Sequence, residues 1–134
     1  MAIEATISVI TPSFNQGQFI RATIDSVTGQ GGDGWEHIVV DGGSSDDTVS
    51  ILKSYAHLKW VSENDRGQSD ALNKGLAMST GDIIFWINSD DVVAEGAFDA
   101  AREFFSSRPD AAIVCGNAVV IDGDGREIRR MGPR

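Results

Sequence analysis

The sequence is poor in cysteine and in basic side chains, and it contains no long apolar run. Its single cysteine, Cys115, cannot pair within the chain, which excludes a disulfide framework and favours a reducing compartment. A membrane span needs about 20 consecutive apolar residues, and no stretch approaches that length. We therefore expect a cytoplasmic protein with no transmembrane segment.

The charge balance excludes two classes of partner. Lys and Arg number 11 against 20 Asp and Glu, so the formal net charge is −9. Nucleic-acid binding requires clustered basic side chains that neutralise phosphates, so we expect no nucleic-acid partner. The same balance argues against docking on an anionic membrane. With 134 residues, 41% of them hydrophobic, the chain can form one core, and we predict a single domain over residues 1–134.

Short β-rich runs alternate with segments of helical periodicity. The predicted strands are Thr6–Thr11, Glu36–Val40, Lys59–Ser62, Asp82–Ile87 and Ala111–Cys115, followed by a hairpin over Ala118–Ile128. This alternation predicts an α/β fold, with a mostly parallel sheet covered by helices on both faces. In such sheets ligands bind beyond the carboxyl ends of the strands.

The pair Asp90 and Asp91 is the sharpest chemical feature at a predicted strand end. It follows the apolar run 83–87, which we expect to be buried on both faces. Adjacent carboxylates repel each other unless a cation shares them, and hard oxygen ligands suit Mg²⁺ or Mn²⁺. The alternative is that one of them caps a helix that starts near Glu95.

Polar residues also follow the other predicted strands. Asp41 either accepts a hydrogen bond from a nucleobase or ribose, or serves as a turn residue before two glycines. Arg66 is the better candidate for diphosphate charge, because Lys74 lies on a predicted helix and is expected to face solvent. The spacing G-x-G-x-x-G at 29–34 follows a helix instead of a strand, so we interpret it as a loop. His37 is expected to be structural.

Four segments resemble, in order and spacing, the motifs of the family 2 glycosyltransferases, which are inverting nucleotide-sugar enzymes of GT-A fold. The four segments are Ile7–Asn15, Val39–Thr48, Ser62–Gly75 and Thr80–Asp91. The resemblance implies a UDP- or GDP-sugar donor, a glycan or lipid-linked acceptor, and Mn²⁺ or Mg²⁺ as cofactor. The implied nucleotide-sugar-binding residues are Thr11, Pro12, Ser13, Asn15, Asp41, Arg66, Asn88 and Asp90. Asp91, together with Asp90, is the implied metal ligand.

Two residues depart from the family pattern. Many relatives carry Asp where this chain has Gly42 and where it has Asn88. Asn88 can hydrogen-bond a ribose or water but removes one charge from the metal site. Which of Asn88, Asp90 and Asp91 ligates the metal directly is therefore left open.

The chain after Asp91 offers no convincing catalytic base, because Asp122 and Asp124 are predicted hairpin-turn residues. We expect an apparently truncated GT-A fold whose acceptor-binding half, with the base, lies elsewhere. The full-length protein is expected in the cytoplasm or peripheral at the inner membrane face. Apolar surface left uncovered makes a second copy of the chain a candidate partner.

Two other classes of function compete with this interpretation. A non-catalytic nucleotide-sugar-binding module would keep the fold and lack the base. A receiver-type phosphoacceptor domain would need its acidic pair after the first strand, where this sequence has Thr11 and Pro12.

Overall fold

A computed structural model describes residues 4–132. In chain order its elements are β1 Ile7–Ser13, α1 Ile20–Thr28, β2 Trp35–Asp41, α2 Thr48–Lys53, β3 Lys59–Ser62, α3 Gln68–Met78, β4 Ile83–Trp86, α4 Ala97–Ser107, β5 Ala118–Ile121 and β6 Glu127–Met131. The chain divides into two compact units, Met1–Asp99 and Ala100–Arg134. The expected single domain over 1–134, of which 1–3 and 133–134 lie outside the described residues, stays a prediction.

The first unit is a parallel sheet with the strand order β3-β2-β1-β4. Helices α1 and α2 pack on one face, where Ile24 and Leu52 meet Val39 of β2. Helix α3 packs on the other face, where Ala71 meets Ile38 and Val40. Successive residues of a strand point to opposite faces, so β2 supplies both cores. The predicted α/β architecture is confirmed.

Helix α3 lies close to the sheet because one of its contact residues has no side chain. Gly75 is buried, and a Cβ added there would lie 2.4 Å from Cγ2 of Ile10 in β1. That distance is far below van der Waals contact, so only glycine allows this approach.

Strand β1 is buried along its whole length and lies between β2 and β4. It continues through Pro12 to Ser13, whereas the sequence predicts that the strand ends at Thr11. The Ile10 carbonyl accepts from Ile87 on the β4 side, whereas the Ser13 carbonyl accepts from Gly42 on the β2 side. The position of Pro12 therefore faces the β4 side, where strand pairing ends at the Ile10–Trp86 pair, so its missing N–H costs no ladder bond.

Strand β4 corrects the expectation that residues 83–87 are buried on both faces. Ile84 and Trp86 are 43% and 55% exposed, whereas Ile83 and Phe85 pack against the core on the opposite face. In the described sheet β4 pairs with β1 alone and forms an edge. An apolar run identifies a strand but does not show which of its faces the rest of the chain covers.

The second unit contains one further correction. The apolar run 111–115 forms no strand, although its composition predicts one. The described sheets give it no neighbour, and a strand needs a partner for its backbone groups. The predicted hairpin is confirmed, because β5 and β6 pair antiparallel around a turn that begins at Asp122. Among residues 4–132, no helix has the length and apolar character needed to cross a bilayer.

A half-buried carboxylate ties four segments together at the amino end of the sheet. Glu36 of β2 accepts hydrogen bonds from Ser8 Oγ at 2.6 Å and from the Thr80 backbone N–H at 2.7 Å. Lys59 Nζ of β3 donates to its other oxygen. Burial alone would raise the pKa of Glu36, but these donors outweigh it and lower the pKa from 4.5 to about 2.

Candidate functional site

A cleft of about 670 Å³ lies at the carboxyl ends of the four parallel strands. The residues lining it come from the end of β1 and from the segments that follow the four strands: Pro12, Ser13, Phe14, Gln16, Gly42, Asn64, Asp65, Gly67, Gln68, Ala71, Asn88, Ser89 and Asp90. Segments distant in sequence therefore meet at one rim. This is the edge at which parallel α/β sheets place their ligands.

The end of β1 forms part of the cleft lining. Pro12 and Ser13 line the cleft, and within the described residues the buried Ser13 Oγ has no hydrogen-bond partner. A buried hydroxyl is costly without a partner, so this oxygen is suited to meet a ligand. Phe14, which is 60% exposed, also lines the cleft.

Thr11 is buried beneath the cleft and does not line it. Its Oγ1 forms a 2.8 Å hydrogen bond with Nε2 of His37 in the neighbouring strand. Burial, with a smaller electrostatic contribution from the neighbouring His57, lowers the pKa of His37 from 6.5 to about 3. His37 therefore stays neutral at physiological pH, as a structural histidine should, and Thr11 supports the β1–β2 pairing.

Asn15 joins the loop after β1 to the loop after β2. Its backbone lies in the left-handed region at φ 51°, a conformation that Asn tolerates better than most residues. Its Oδ1 accepts from the Ser45 backbone N–H at 2.8 Å, and its own N–H donates to Ser44 Oγ at 2.8 Å. The side chain thus fixes two loops at the rim and does not itself line the cleft.

Asp41 is fully buried, and its carboxylate is occupied by groups of the protein. Ser44 donates from its backbone N–H at 2.8 Å and from its hydroxyl at 2.5 Å, and Ser62 Oγ donates at 2.7 Å. The carboxylate therefore orders the loop that carries Gly42 into the cleft lining. A Cβ at Gly42 would lie 3.0 Å from both carboxylate oxygens of Asp65, so the glycine leaves room for that side chain.

The segment after β3 supplies side chains that the sequence analysis missed. Asn64, Asp65 and Gln68 line the cleft, and Asp65 Oδ1 accepts from the Gly67 backbone N–H at 2.9 Å. Gly67 has φ 112° and immediately precedes α3, so a sharp turn directs the preceding polar residues toward the cleft. The sequence did contain a signal for this turn, because Gly67 lies between a run of polar residues and the start of a predicted helix.

The two basic candidates do not reach the cleft lining. The Arg66 side chain is 90% exposed and lies 3.5 Å from Asp70. Lys74 is 28% exposed instead of facing solvent freely, because its Nζ lies 3.0 Å from Glu63. The hydrogen bond to Glu63 raises the pKa of Lys74, with Asp70 and Asp65 adding to the effect. Both cations are paired with carboxylates of this chain.

The acidic pair lies in the segment that follows β4. Helix α4 begins at Ala97, too far along the chain for Asp90 or Asp91 to cap it. Burial and the charge of Asp90 raise the pKa of Asp91, although a hydrogen bond from Asn88 opposes them. Thr23 Oγ1 anchors this loop through a 2.6 Å hydrogen bond to the Asp91 carbonyl. Asp90 lines the cleft.

The acidic pair fits a hard divalent cation. No group of three or more His, Cys, Asp or Glu side chains among residues 4–132 is placed to hold a metal by itself. Mg²⁺ and Mn²⁺ do not require one, because they are commonly bound by one or two carboxylates together with water and substrate phosphates. Two adjacent carboxylates, which repel each other unless a cation lies between them, match that donor set.

Comparison with known proteins finds glycosyltransferases among the relatives of this chain. Rv1514c of Mycobacterium tuberculosis strain H37Rv, an uncharacterized glycosyltransferase, is 43% identical over 96 residues, which cover 68% of this chain and 36% of that protein. The mannosyltransferase PcManGT from Pyrobaculum calidifontis, in complex with GDP-Man and Mn²⁺, matches with a TM-score of 0.72 and 27% identity over 90% of this chain and 36% of that one. Staphylococcus aureus TarS 1–349, in complex with UDP-GlcNAc, matches with a TM-score of 0.69 and 26% identity over 76% of this chain and 31% of that one.

The chain thus spans about a third of the length of these proteins. The solved structures show that its first unit has the GT-A fold that the sequence motifs imply. The sequence pattern of one family, Glycosyl transferase family 2, matches residues 8–133. The chain belongs to glycosyl transferase family 2.

Proposed function

We propose that this chain forms the donor-binding part of a metal-assisted glycosyltransferase, which transfers a sugar from a nucleotide-diphospho-sugar to an acceptor hydroxyl. The observation that carries the proposal is that one cleft has an exposed aromatic ring in its lining together with one member of the acidic pair. Nucleotide-sugar complexes of TarS and PcManGT, and Mn²⁺ in the latter, support this assignment.

The nucleoside would bind between the segments that follow β1 and β3. Phe14 offers a ring face on which a base can stack, and the unpartnered Ser13 hydroxyl offers a hydrogen bond. Asn64 and the Asp65 carboxylate offer acceptors for the imide N–H of uracil or the amide N–H of guanine. Asp41 acts indirectly, by ordering the loop that contains Gly42.

The diphosphate would lie toward Asp90 and Asp91. These carboxylates would hold Mn²⁺ or Mg²⁺, which when bound neutralises charge on the departing diphosphate. The first strands fix the nucleoside relative to this pair, so positioning contributes much of the rate enhancement. A carboxylate of the acceptor-binding half, which we expect outside this chain, would take the proton of the acceptor hydroxyl.

Isothermal titration with UDP and GDP, each with and without Mn²⁺, tests the proposal on the chain itself. We expect Mn²⁺ to strengthen binding of one nucleotide by about 10-fold or more, because two carboxylates and the diphosphate then share the cation. Asp91→Asn should abolish this metal dependence. Asp33→Asn is the matched control, because it also removes one negative charge but does so at an exposed loop residue.

Two results would contradict the proposal. One is equally weak binding of both nucleotides with and without Mn²⁺. The other is equal loss of metal dependence in Asp33→Asn and Asp91→Asn, which would indicate a general charge effect.

A further inference from the structure

The indole of Trp86 fixes the orientation of the Asn88 amide. Trp86 Nε1 lies 3.0 Å from Asn88 Oδ1. The indole N–H can only donate, so the amide atom that faces it must be the oxygen. The two ends of an Asn side chain are otherwise nearly equivalent in shape, and this contact removes the ambiguity.

Gln68 supplies a second donor to the same oxygen. Its Nε2 lies 2.8 Å from Asn88 Oδ1. A carbonyl oxygen has two lone pairs, and here both are used. The amide nitrogen is consequently directed the other way, where Nδ2 lies 3.5 Å from Asp91 Oδ2.

We propose that Trp86 and Gln68 are positioning residues, which keep the Asn88 carbonyl away from the metal and direct its NH₂ group toward Asp91. This inference rests on the proposed function. It assigns the cation to Asp90 and Asp91 and excludes Asn88 as a direct ligand, a choice that the sequence leaves open. Asn88 acts through Asp91, because its NH₂ group faces one oxygen of that carboxylate and so orients it.

The exposure of Trp86 separates this role from simple packing. Trp86 is 55% exposed on the edge strand β4, so little of its ring contributes to the core. Its strand neighbour on the same face, Ile84, is 43% exposed and has no side-chain polar atom. Ile84→Val is therefore a matched control for changes to this surface.

The test measures Mn²⁺ affinity in the presence of UDP, by electron paramagnetic resonance of the free ion. Trp86→Phe keeps an aromatic ring and removes the donor-only N–H, so the Asn88 and Gln68 amides can flip together and still pair with each other. We expect about a 10-fold loss of Mn²⁺ affinity, as is typical when a residue that orients a metal ligand is changed. UDP affinity without metal should stay unchanged, and Ile84→Val should behave as wild type.

Repeating Trp86→Phe in an Asn88→Asp background distinguishes orientation from general damage. The two oxygens of a carboxylate are equivalent, so no donor is needed to orient it. We expect Trp86→Phe to have little effect on Mn²⁺ affinity in that background. An equal loss in both backgrounds would overturn the inference, as would unchanged affinity in the Asn88 protein.

A metal-free readout keeps this inference distinguishable from the proposed function. In the apo protein, the Trp86 indole N–H resonance should move upfield in Asn88→Ala, because a hydrogen bond to it is lost. An unmoved resonance would overturn the inference by itself. If the wild-type protein with UDP bound no Mn²⁺, the proposed function would fail and the metal-positioning role with it. Unchanged affinity in Trp86→Phe, with Mn²⁺ bound by wild type, would refute the positioning role alone.

Discussion

Replacing Glu36 by Gln should destabilise the fold in a pH-dependent way. The pKa of Glu36 falls from 4.5 to about 2 in the folded state, a shift that corresponds to about 3 kcal/mol if it is fully realised. Lys59 is 52% exposed, so solvent screening reduces its share, and we expect about 1–2 kcal/mol. A Gln at this position would also turn its NH₂ group either toward Lys59 or toward Ser8 and Thr80. Because all three of these groups donate to Glu36, the NH₂ group would face another donor.

The sign follows from the depressed pKa. Ionised Glu36 stabilises the fold fully above pH 4.5, and this contribution is lost as the pH falls toward 2. The free-energy gap between wild type and Glu36→Gln should therefore be largest at pH 7 and shrink between pH 4.5 and 3. Other titrating groups, including His37, contribute equally to the stability of both proteins, so their contributions cancel in the free-energy gap between wild type and Glu36→Gln.

Urea unfolding followed by circular dichroism at pH 7, 5, 4 and 3 measures this gap. Glu95→Gln, an exposed site, is the matched control and should show almost no gap at any pH. A gap for Glu36→Gln that is the same at pH 7 and pH 3 would refute the electrostatic reasoning. A free-energy gap for Glu36→Gln smaller than that of the Glu95→Gln control would show that the hydrogen bonds to Glu36 contribute nothing to stability.

Two further substitutions probe packing and binding separately. Gly75→Ala places a Cβ 2.4 Å from Cγ2 of Ile10, and the forced shift of α3 should cost about 1–3 kcal/mol. A melting temperature equal to wild type would show that α3 can move away freely. Phe14→Ala should weaken UDP binding by about 1 kcal/mol or more, with the metal dependence intact, because base stacking is lost at a side chain that is 60% exposed. Titration with UDP checks this, and unchanged affinity would place the base elsewhere in the cleft.

Local patterns predicted most of the first unit. The strand Lys59–Ser62 is observed with the predicted bounds. The buried residues Ile20, Ile24 and Val27 of α1 have the i, i+4, i+7 spacing of one helical face. Both signals depend only on residues close in sequence. Parallel topology then followed from the alternation of strands and helices, and it placed Asp90 at the correct edge of the sheet.

What sequence could not predict depends on neighbours that are distant along the chain. The burial of Ile84 and Trp86 depends on whether another element covers that face of β4. The orientation of the Asn88 side chain depends on Gln68, a donor 20 residues away. Arg66 has the charge to bind a diphosphate, but its local turn and Asp70 direct the side chain to solvent. No periodicity encodes such contacts.

The burial of β1 has a consequence for how the ligand preference of this fold could change. Residues 7–13 form the centre of the sheet, and their last members are also the cleft residues Pro12 and Ser13. A substitution there alters recognition and folding at once, so few would be tolerated during divergence. Variation in ligand preference should accumulate instead in the solvent-facing walls, at Phe14 and around residues 64–68, where a change leaves the central strand intact.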